Sequence, residues 1–214
     1  MFLLDINTIL YSVILLINIV LYAKGTLKTK ERWFTKILIY LLTILFVHIT
    51  SILFVYYYLN NIKVFHFFSF AQILIVSSFY KEVIDNPKIK RGINYSLLIS
   101  FLIVGGQFII IPETLNNFSI LEVFLFNYLI IIYGLVYSFR NLALKPRHNI
   151  INIGLITYCL FTISILTYGN YLVKVSVDDA AKVWMLHDYN NLFFQLMILA
   201  QYVFYKRLGR GEIQ

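Results

Sequence analysis

FTKILIYLLTILFVHITSILFVYYYL, residues 34–59, is a long apolar run whose only lysine or arginine is Lys36, close to its start. A helix that spans a bilayer needs about 20 consecutive, mostly apolar residues. The whole chain is 60% hydrophobic and 13% charged, whereas soluble domains carry about 25% charged residues. The run therefore predicts a membrane helix, and the composition predicts that much of the protein surface faces lipid.

Six further segments are similar in length and composition. The seven predicted spans are residues 3–23, 34–59, 64–83, 93–112, 120–139, 149–172 and 183–205. The first is interpreted as a membrane helix and not as a cleavable signal peptide, because no basic residue precedes it. We therefore expect an all-α membrane protein, a seven-transmembrane-helix bundle that forms a single domain over residues 1–214.

The basic residues predict how the bundle is oriented. All 18 lysines and arginines except Lys63, Lys174 and Lys182 flank the first, third and fifth connections or lie in the tail. Since loops rich in lysine and arginine stay in the cytoplasm, the N-terminus is expected outside and the C-terminus in the cytoplasm. This explains the net charge of +8, so no nucleic-acid partner is predicted.

Short matches between the two halves of the chain suggest an internal repeat. LDINTILY (4–11) is similar to LEVFLFNY (121–128), and SILFVYYYL (51–59) is similar to SILTYGNYL (164–172). Because the order is kept, helices 1–3 would correspond to helices 5–7. Helix 4 would then be the linker of a 3+1+3 arrangement, and parallel repeats of this kind occur in carrier folds.

Polar side chains within the spans are the candidates for function, because each is costly to place in hydrocarbon. Most of the ionisable ones fall in the outer half of the predicted bundle, which indicates a crevice open to the outside. The predicted ligand-binding residues are His48, His66, Glu122, His187, Asn191 and Gln195. At 100° per residue, His187, Asn191 and Gln195 share one stripe of helix 7, whereas Asp188 and Asn190 are expected to be wet at the interface.

A simpler interpretation is that these polar groups only join helices. Hydrogen bonds between Asn, Gln, Ser and His side chains are ordinary in membrane bundles. The two interpretations differ in one geometric respect: a site requires His66, Glu122, His187 and Asn191 to converge around a cavity.

The sequence gives little support to enzymatic chemistry. Retinal is not expected, because helix 7 has lysines only at its edges. The seven-helix zinc hydrolases carry a His-x-x-x-His pair on the last helix, where this chain has His187 and Asn191. His66, His187 and Glu122 remain weak candidates for metal ligands, since ligands can come from different helices. No cofactor is predicted, and a non-enzymatic role is favoured.

HFFSFAQILIVSSFY (66–80), the tyrosine-rich helix 6 and Trp184-x-x-His187-x-x-x-Asn191 carry one resemblance. The chain resembles a large family of small, mostly uncharacterised seven-helix inner-membrane proteins of Gram-negative bacteria. Members are often associated with sensor histidine kinases, which implies a multi-pass protein of the inner (cytoplasmic) membrane that serves as a sensory input module. The family would place an acidic residue near Gln72, where this chain has an amide.

The expected function is that of a membrane-embedded, receptor-like sensor. A small ligand or a lipid would bind in the outward-facing polar crevice, and the bundle would signal to a cytoplasmic or membrane partner such as a histidine kinase. Three alternatives stay open: a small-solute carrier, a metal-dependent membrane enzyme that uses the same polar cluster, and a structural subunit of a membrane complex.

Overall fold

The structure is a computed structural model that describes residues 6–57, 59–141, 147–167 and 177–208. Within these ranges all regular secondary structure is helical. The seven long helices are α1 (Ile6–Thr29), α2 (Arg32–Tyr56), α3 (Ile62–Val83), α4 (Pro87–Ile110), α5 (Ile120–Arg140), α6 (Asn149–Leu166) and α7 (Val177–Leu208). A short 3-10 helix, Pro112–Asn116, precedes α5.

Six of these helices, α1 to α6, are long and apolar enough to cross a membrane. This confirms the prediction of an all-α, multi-pass membrane protein. The seventh helix, α7, is longer but lacks a stretch as apolar as those of the other six, because HDYNN (187–191) interrupts it. The count of seven spans therefore remains a prediction, as do the orientation and the internal repeat.

Several helices extend further than their apolar runs. The first predicted span ends at residue 23, whereas α1 continues to Thr29 and α2 begins at Arg32. Lysine is a good helix former, and its aliphatic stem can lie along apolar surface while its charge stays in water. Lys30 forms the turn with a φ of 55°, the left-handed conformation in which many helices end.

The start of α4 shows the same effect. The predicted span begins at residue 93, whereas α4 begins at Pro87. Asn86 caps the helix by accepting hydrogen bonds from the backbone N–H groups of Lys88 and Ile89 at 2.9 and 3.1 Å, and Pro87 occupies the first turn, where its missing N–H costs nothing. The sixth predicted span reaches residue 172, of which residues 168–172 lie outside the described residues.

Six of the helices form a closed ring. In order around it, α1 packs against α2, α2 against α3, α3 against α5, α5 against α6, α6 against α7, and α7 against α1. The remaining helix, α4, lies outside the ring against α3 and α5. The helices α1–α3 and α5–α7 are therefore contiguous halves of the ring.

One end of the ring, which we call the closed end, is filled by aromatic side chains. It is the end at which α1, α3, α5 and α7 finish and α2 and α6 begin. Trp33 and Phe34 stack with ring centroids 3.9 Å apart, and Tyr22 contacts both rings. Gly25 is required here, because a Cβ atom would lie 2.6 Å from the ring of Phe34. The opposite end is less densely filled.

Candidate functional site

A cavity of about 570 Å³ lies inside the ring at the end opposite the closed end, and all six ring helices line it. Along α7 its wall runs from Trp184 to Gln195, and along α2 it runs from Ser51 to Tyr40. At 1.5 Å per residue each of these stretches is about 17 Å long. The cavity therefore reaches from the end of the bundle, where the exposed Asn60 lies, to about the middle of the helices.

The predicted ligand-binding residues divide into two groups. His48, His187, Asn191 and Gln195 line the cavity, whereas His66 and Glu122 are not among the lining residues. The predicted meeting of His187 and Asn191 with His66 and Glu122 is therefore not what the structure shows. Separate helix contacts account for part of the predicted set, and the cavity accounts for the rest.

His66 and Glu122 form a pair that joins α3 to α5. The distance from His66 Nδ1 to Glu122 Oε2 is 2.5 Å, and both side chains are buried, Glu122 completely. The ring of Phe108 packs edge-on against the imidazole, with centroids 5.1 Å apart. Among the described residues, His66 Nε2 and Glu122 Oε1 have no further hydrogen-bond partner. A buried pair of this kind is a strong constraint on helix packing, because either partner alone would be uncompensated.

The polar residues of α7 also differ in what they contact. Asn190, which we expected to be wet, is buried and donates hydrogen bonds to the backbone oxygen of Tyr158 at 3.1 Å and to Thr162 Oγ1 at 3.2 Å. Gln195 Oε1 accepts a hydrogen bond from Asn18 Nδ2 at 2.9 Å. Asn190 therefore joins α7 to α6, and Gln195 joins α7 to α1 at the floor of the cavity.

Four side chains that line the cavity carry buried polar atoms without a hydrogen-bond partner among the described residues. They are Tyr40 (its hydroxyl), Gln72 (Nε2), Asn127 (Oδ1) and His187 (Nδ1). Buried polar groups in proteins are almost always hydrogen-bonded, and leaving one unpaired costs about 1–3 kcal/mol. Four such atoms facing one cavity indicate that the cavity holds polar atoms of something else, whether water or a ligand.

Sequence reasoning identified only part of this set. It found His187, but it did not name Gln72 or Asn127 among the ligand-binding residues. It missed Tyr40, because nothing in the sequence distinguishes this tyrosine from the other 16 in the chain. Only the placement of the side chains around the ring shows which amides and hydroxyls lie against the cavity.

Aromatic rings form most of the apolar wall. Near the floor, Tyr40 contacts Phe68 and Phe194 with ring centroids 6.4 and 6.0 Å apart, and Tyr158 stacks on Phe194 at 4.8 Å. Near the mouth, the rings of Trp184 and His187 are 6.0 Å apart. The wall is therefore suited to an apolar or planar molecular body.

The lining carries little formal charge. Within the described ranges it contains one carboxylate, Asp188, and the two imidazoles of His48 and His187, and no lysine or arginine belongs to it. Asp188 is exposed. Gln195 follows Asp188 by seven positions along α7, which places this carboxylate about 10 Å above the floor. The floor is thus built from neutral groups.

A second cleft, of about 430 Å³, lies at the closed end beside Glu31 and His148. Glu31 accepts hydrogen bonds from the indole N–H of Trp33 and, at 2.8 Å, from the hydroxyl of Tyr205, and its carboxylate lies 3.8 Å from Arg147. Burial lowers the pKa of His148 to about 4, with an opposing contribution from Glu31 and a smaller lowering one from Arg147. The imidazole is therefore neutral at pH 7.

The weak metal candidates do not form one site. His66 and Glu122 contact each other, and His187 lies apart from them on the cavity wall. Among the described residues no three His, Cys, Asp or Glu side chains are grouped so that they could hold a metal ion. Cys159 is a buried free thiol of α6.

Comparison of the chain with protein-family models, with curated proteins and with solved structures finds no match. The resemblance to small seven-helix inner-membrane proteins therefore remains a prediction from short motifs, and the site has to be interpreted from its own geometry.

Proposed function

We propose that the protein is a receptor-like sensor of the bacterial inner membrane that binds a small ligand in the cavity. The observation that carries this proposal is the set of four unpartnered polar atoms, on Tyr40, Gln72, Asn127 and His187, around one cavity of about 570 Å³. Ligand pockets are commonly of this size and combine an apolar wall with a few placed polar groups.

The side on which the ligand enters follows from the positive-inside rule. Lys30, Arg32, Lys88, Arg140 and Lys206 all lie at or near the closed end. We assign that end to the cytoplasm, which makes the cavity open to the outside and the N-terminus external. With α7 counted as a span, the bundle has seven transmembrane helices.

A series of hydrogen bonds connects the cavity floor with the closed end along α7. Below the bond between Asn18 and Gln195, the hydroxyl of Tyr22 donates to the backbone oxygen of Ile198 at 3.0 Å. Further along α7, Gln201 Nε2 donates to the backbone oxygen of Arg147 at 2.7 Å. Since these bonds tie α7 to α1 and to the start of α6, a ligand that shifts α7 would change the surface of the closed end.

We propose that a partner protein, a histidine kinase or another membrane protein, binds the closed end and responds to this change. The packed aromatic side chains of the closed end, Tyr22, Trp33 and Phe34 among them, favour a binding protein over a carrier. A carrier would need a second arrangement in which these rings separate.

The test is whether a small molecule occupies the cavity. Ser69 lines the cavity on α3, and Leu74 on the same helix is 48% exposed on the outer face of the bundle. Native mass spectrometry of the purified protein should detect a bound small molecule in the wild type and in Leu74→Trp but not in Ser69→Trp, where the indole fills the cavity. Equal occupancy in the two variants, or none in the wild type, would contradict the proposal.

A further inference from the structure

We infer that the ligand is an uncharged amphiphile that carries a hydroxyl or carboxamide group on an apolar body. The inference rests on the proposed function and narrows it to a chemical class. Charge, hydrogen bonding and shape are three separate properties of the cavity that support it.

The distribution of charge excludes an ionised group from the floor. Among the described residues, the lining has no lysine or arginine that could neutralise an anion, and its one carboxylate, Asp188, is exposed at the mouth. An ion taken from water into a site of low dielectric constant loses several kcal/mol of hydration, and a partner must compensate for this loss. Since the floor offers no such partner, a neutral group binds there better than a charged one.

The unpartnered atoms require a ligand group that can both donate and accept a hydrogen bond. Gln72 Nε2 can only donate, whereas Asn127 Oδ1 can only accept, because Asn127 Nδ2 already donates to the backbone oxygen of Val123 at 2.8 Å. The hydroxyl of Tyr40 can do either. A hydroxyl or a carboxamide meets both needs, whereas a ketone or an ether would leave the acceptor of Asn127 unpaired.

The shape of the cavity requires an apolar body attached to that group. The rings of Tyr40, Phe68, Tyr158 and Phe194 surround the floor. A wall about 17 Å long, from Trp184 to Gln195 along α7, leaves room for an extended chain or a substituted ring above the polar group. The ligand is therefore an amphiphile and not a sugar or an inorganic ion.

The experiment uses a cysteine on the cavity wall and five compounds with one apolar body. The variant Ser69→Cys is assembled in nanodiscs and treated with methyl methanethiosulfonate, a small neutral thiol reagent. The buried native Cys159 gives the background rate in the wild type. The competitors are 4-phenylbutan-1-ol, 4-phenylbutanamide, 4-phenylbutylamine, 4-phenylbutyrate and butylbenzene, which differ in the terminal group alone.

We expect the alcohol and the amide to slow the modification of Ser69→Cys at least threefold at concentrations at which the amine, the carboxylate and butylbenzene do not. Lys63→Cys, an exposed position outside the cavity lining, controls for changes in reagent concentration near the bilayer. The thiol reagent should modify it at the same rate in the presence of each of the five compounds. Tyr40→Phe and Gln72→Leu are each placed in the Ser69→Cys background. Each should raise about tenfold the concentration of the alcohol that is needed to protect the cysteine. These variants remove unpartnered atoms, so they should not harm the fold.

Three results would overturn the inference. Stronger protection by the amine or the carboxylate would show that the site takes an ion. Equal protection by butylbenzene would show that the polar group is irrelevant, and no protection by the alcohol or the amide would exclude the class. In each case the cavity can still bind a ligand of another kind. If Ser69→Cys does not react above the background of the wild type, the cavity is closed to small molecules, and the proposed function fails with the inference.

Discussion

Two glutamines in the same bundle allow a direct test of whether the cavity is a site or a packing defect. Gln72 is 5% exposed, and its Nε2 has no hydrogen-bond partner among the described residues. Gln201 is fully buried, and it donates to the backbone oxygen of Arg147 at 2.7 Å and accepts from the backbone N–H of Ile151 at 3.2 Å. Leucine is similar in size to glutamine but has no polar atoms.

The two substitutions should have effects of opposite sign. Gln72→Leu removes a buried donor that has no partner among the described residues, so in the absence of ligand it should raise the free energy of unfolding, by at most about 1–3 kcal/mol. Gln201→Leu leaves the carbonyl of Arg147 and the N–H of Ile151 without this partner, so it should lower the free energy by about 1–3 kcal/mol. The N–H of Ile151 is affected most, because the first turn of a helix offers it no backbone acceptor.

The assay is equilibrium unfolding by SDS in mixed micelles, with helicity and the fluorescence of the two tryptophans, Trp33 and Trp184, as separate probes. Binding is measured in the same preparations by the protection of Ser69→Cys. Gln72→Leu should be more stable than the wild type and bind the alcohol more weakly, because function and stability are in conflict at such a position. Equal destabilisation by the two leucines would refute this reasoning, since Gln72 would then be an ordinary contact between helices.

Three further predictions concern other parts of the bundle. His66→Ala should lower the free energy of unfolding by about 3–5 kcal/mol, because it leaves the buried Glu122 carboxylate uncompensated. The double variant with Glu122→Ala should lose less stability than the sum of the two single losses. Additive losses in SDS unfolding would contradict a coupled pair. Lys63→Cys should react with a membrane-impermeant maleimide in intact cells and Lys88→Cys only after lysis, and the reverse pattern would overturn the orientation. The pKa of His148 is lowered from its usual 6.5 to about 4, so folding favours the neutral imidazole. The free energy of unfolding should therefore fall as the pH decreases from 6.5 towards 4. His148→Phe should reduce this loss, and a pH profile that is the same in the variant and the wild type would contradict the prediction.

The sequence predicted the membrane helices better than their ends. Length and hydropathy are sufficient for α1 to α6, because the hydrocarbon thickness demands about 20 apolar residues. The ends depend on residues outside the hydrocarbon, where lysine and arginine continue a helix without being apolar. At α4 the cap was visible in the sequence as Asn86 followed by Pro87, and hydropathy alone placed the start six residues too late.

The candidate site was predicted only in outline. A cluster of polar residues near one end of the helices was visible in the sequence, and four of the six named side chains do line one cavity. The sequence could not show that His66 and Glu122 contact each other, since their separation of 56 residues has no periodicity to reveal it. It also could not separate amides that are paired from amides that are not, because this distinction depends on which neighbouring atoms lie within hydrogen-bonding distance.

The composition of α7 follows from its two different surroundings. The helix packs on α1 and α6 within the ring, and its amides Asn190, Gln195 and Gln201 bond to those two neighbours. Interhelical bonds of this kind offset the cost of polar groups in a membrane bundle, which explains why the least apolar of the long helices can still belong to the ring. His187 and Asn191 have a different role, since they line the cavity. Substitutions at His187 and Asn191 should therefore change ligand binding without opening the ring, whereas substitutions at Asn190 and Gln201 should do the reverse. Gln195 both lines the cavity and bonds to Asn18, so its substitution should affect binding and packing together.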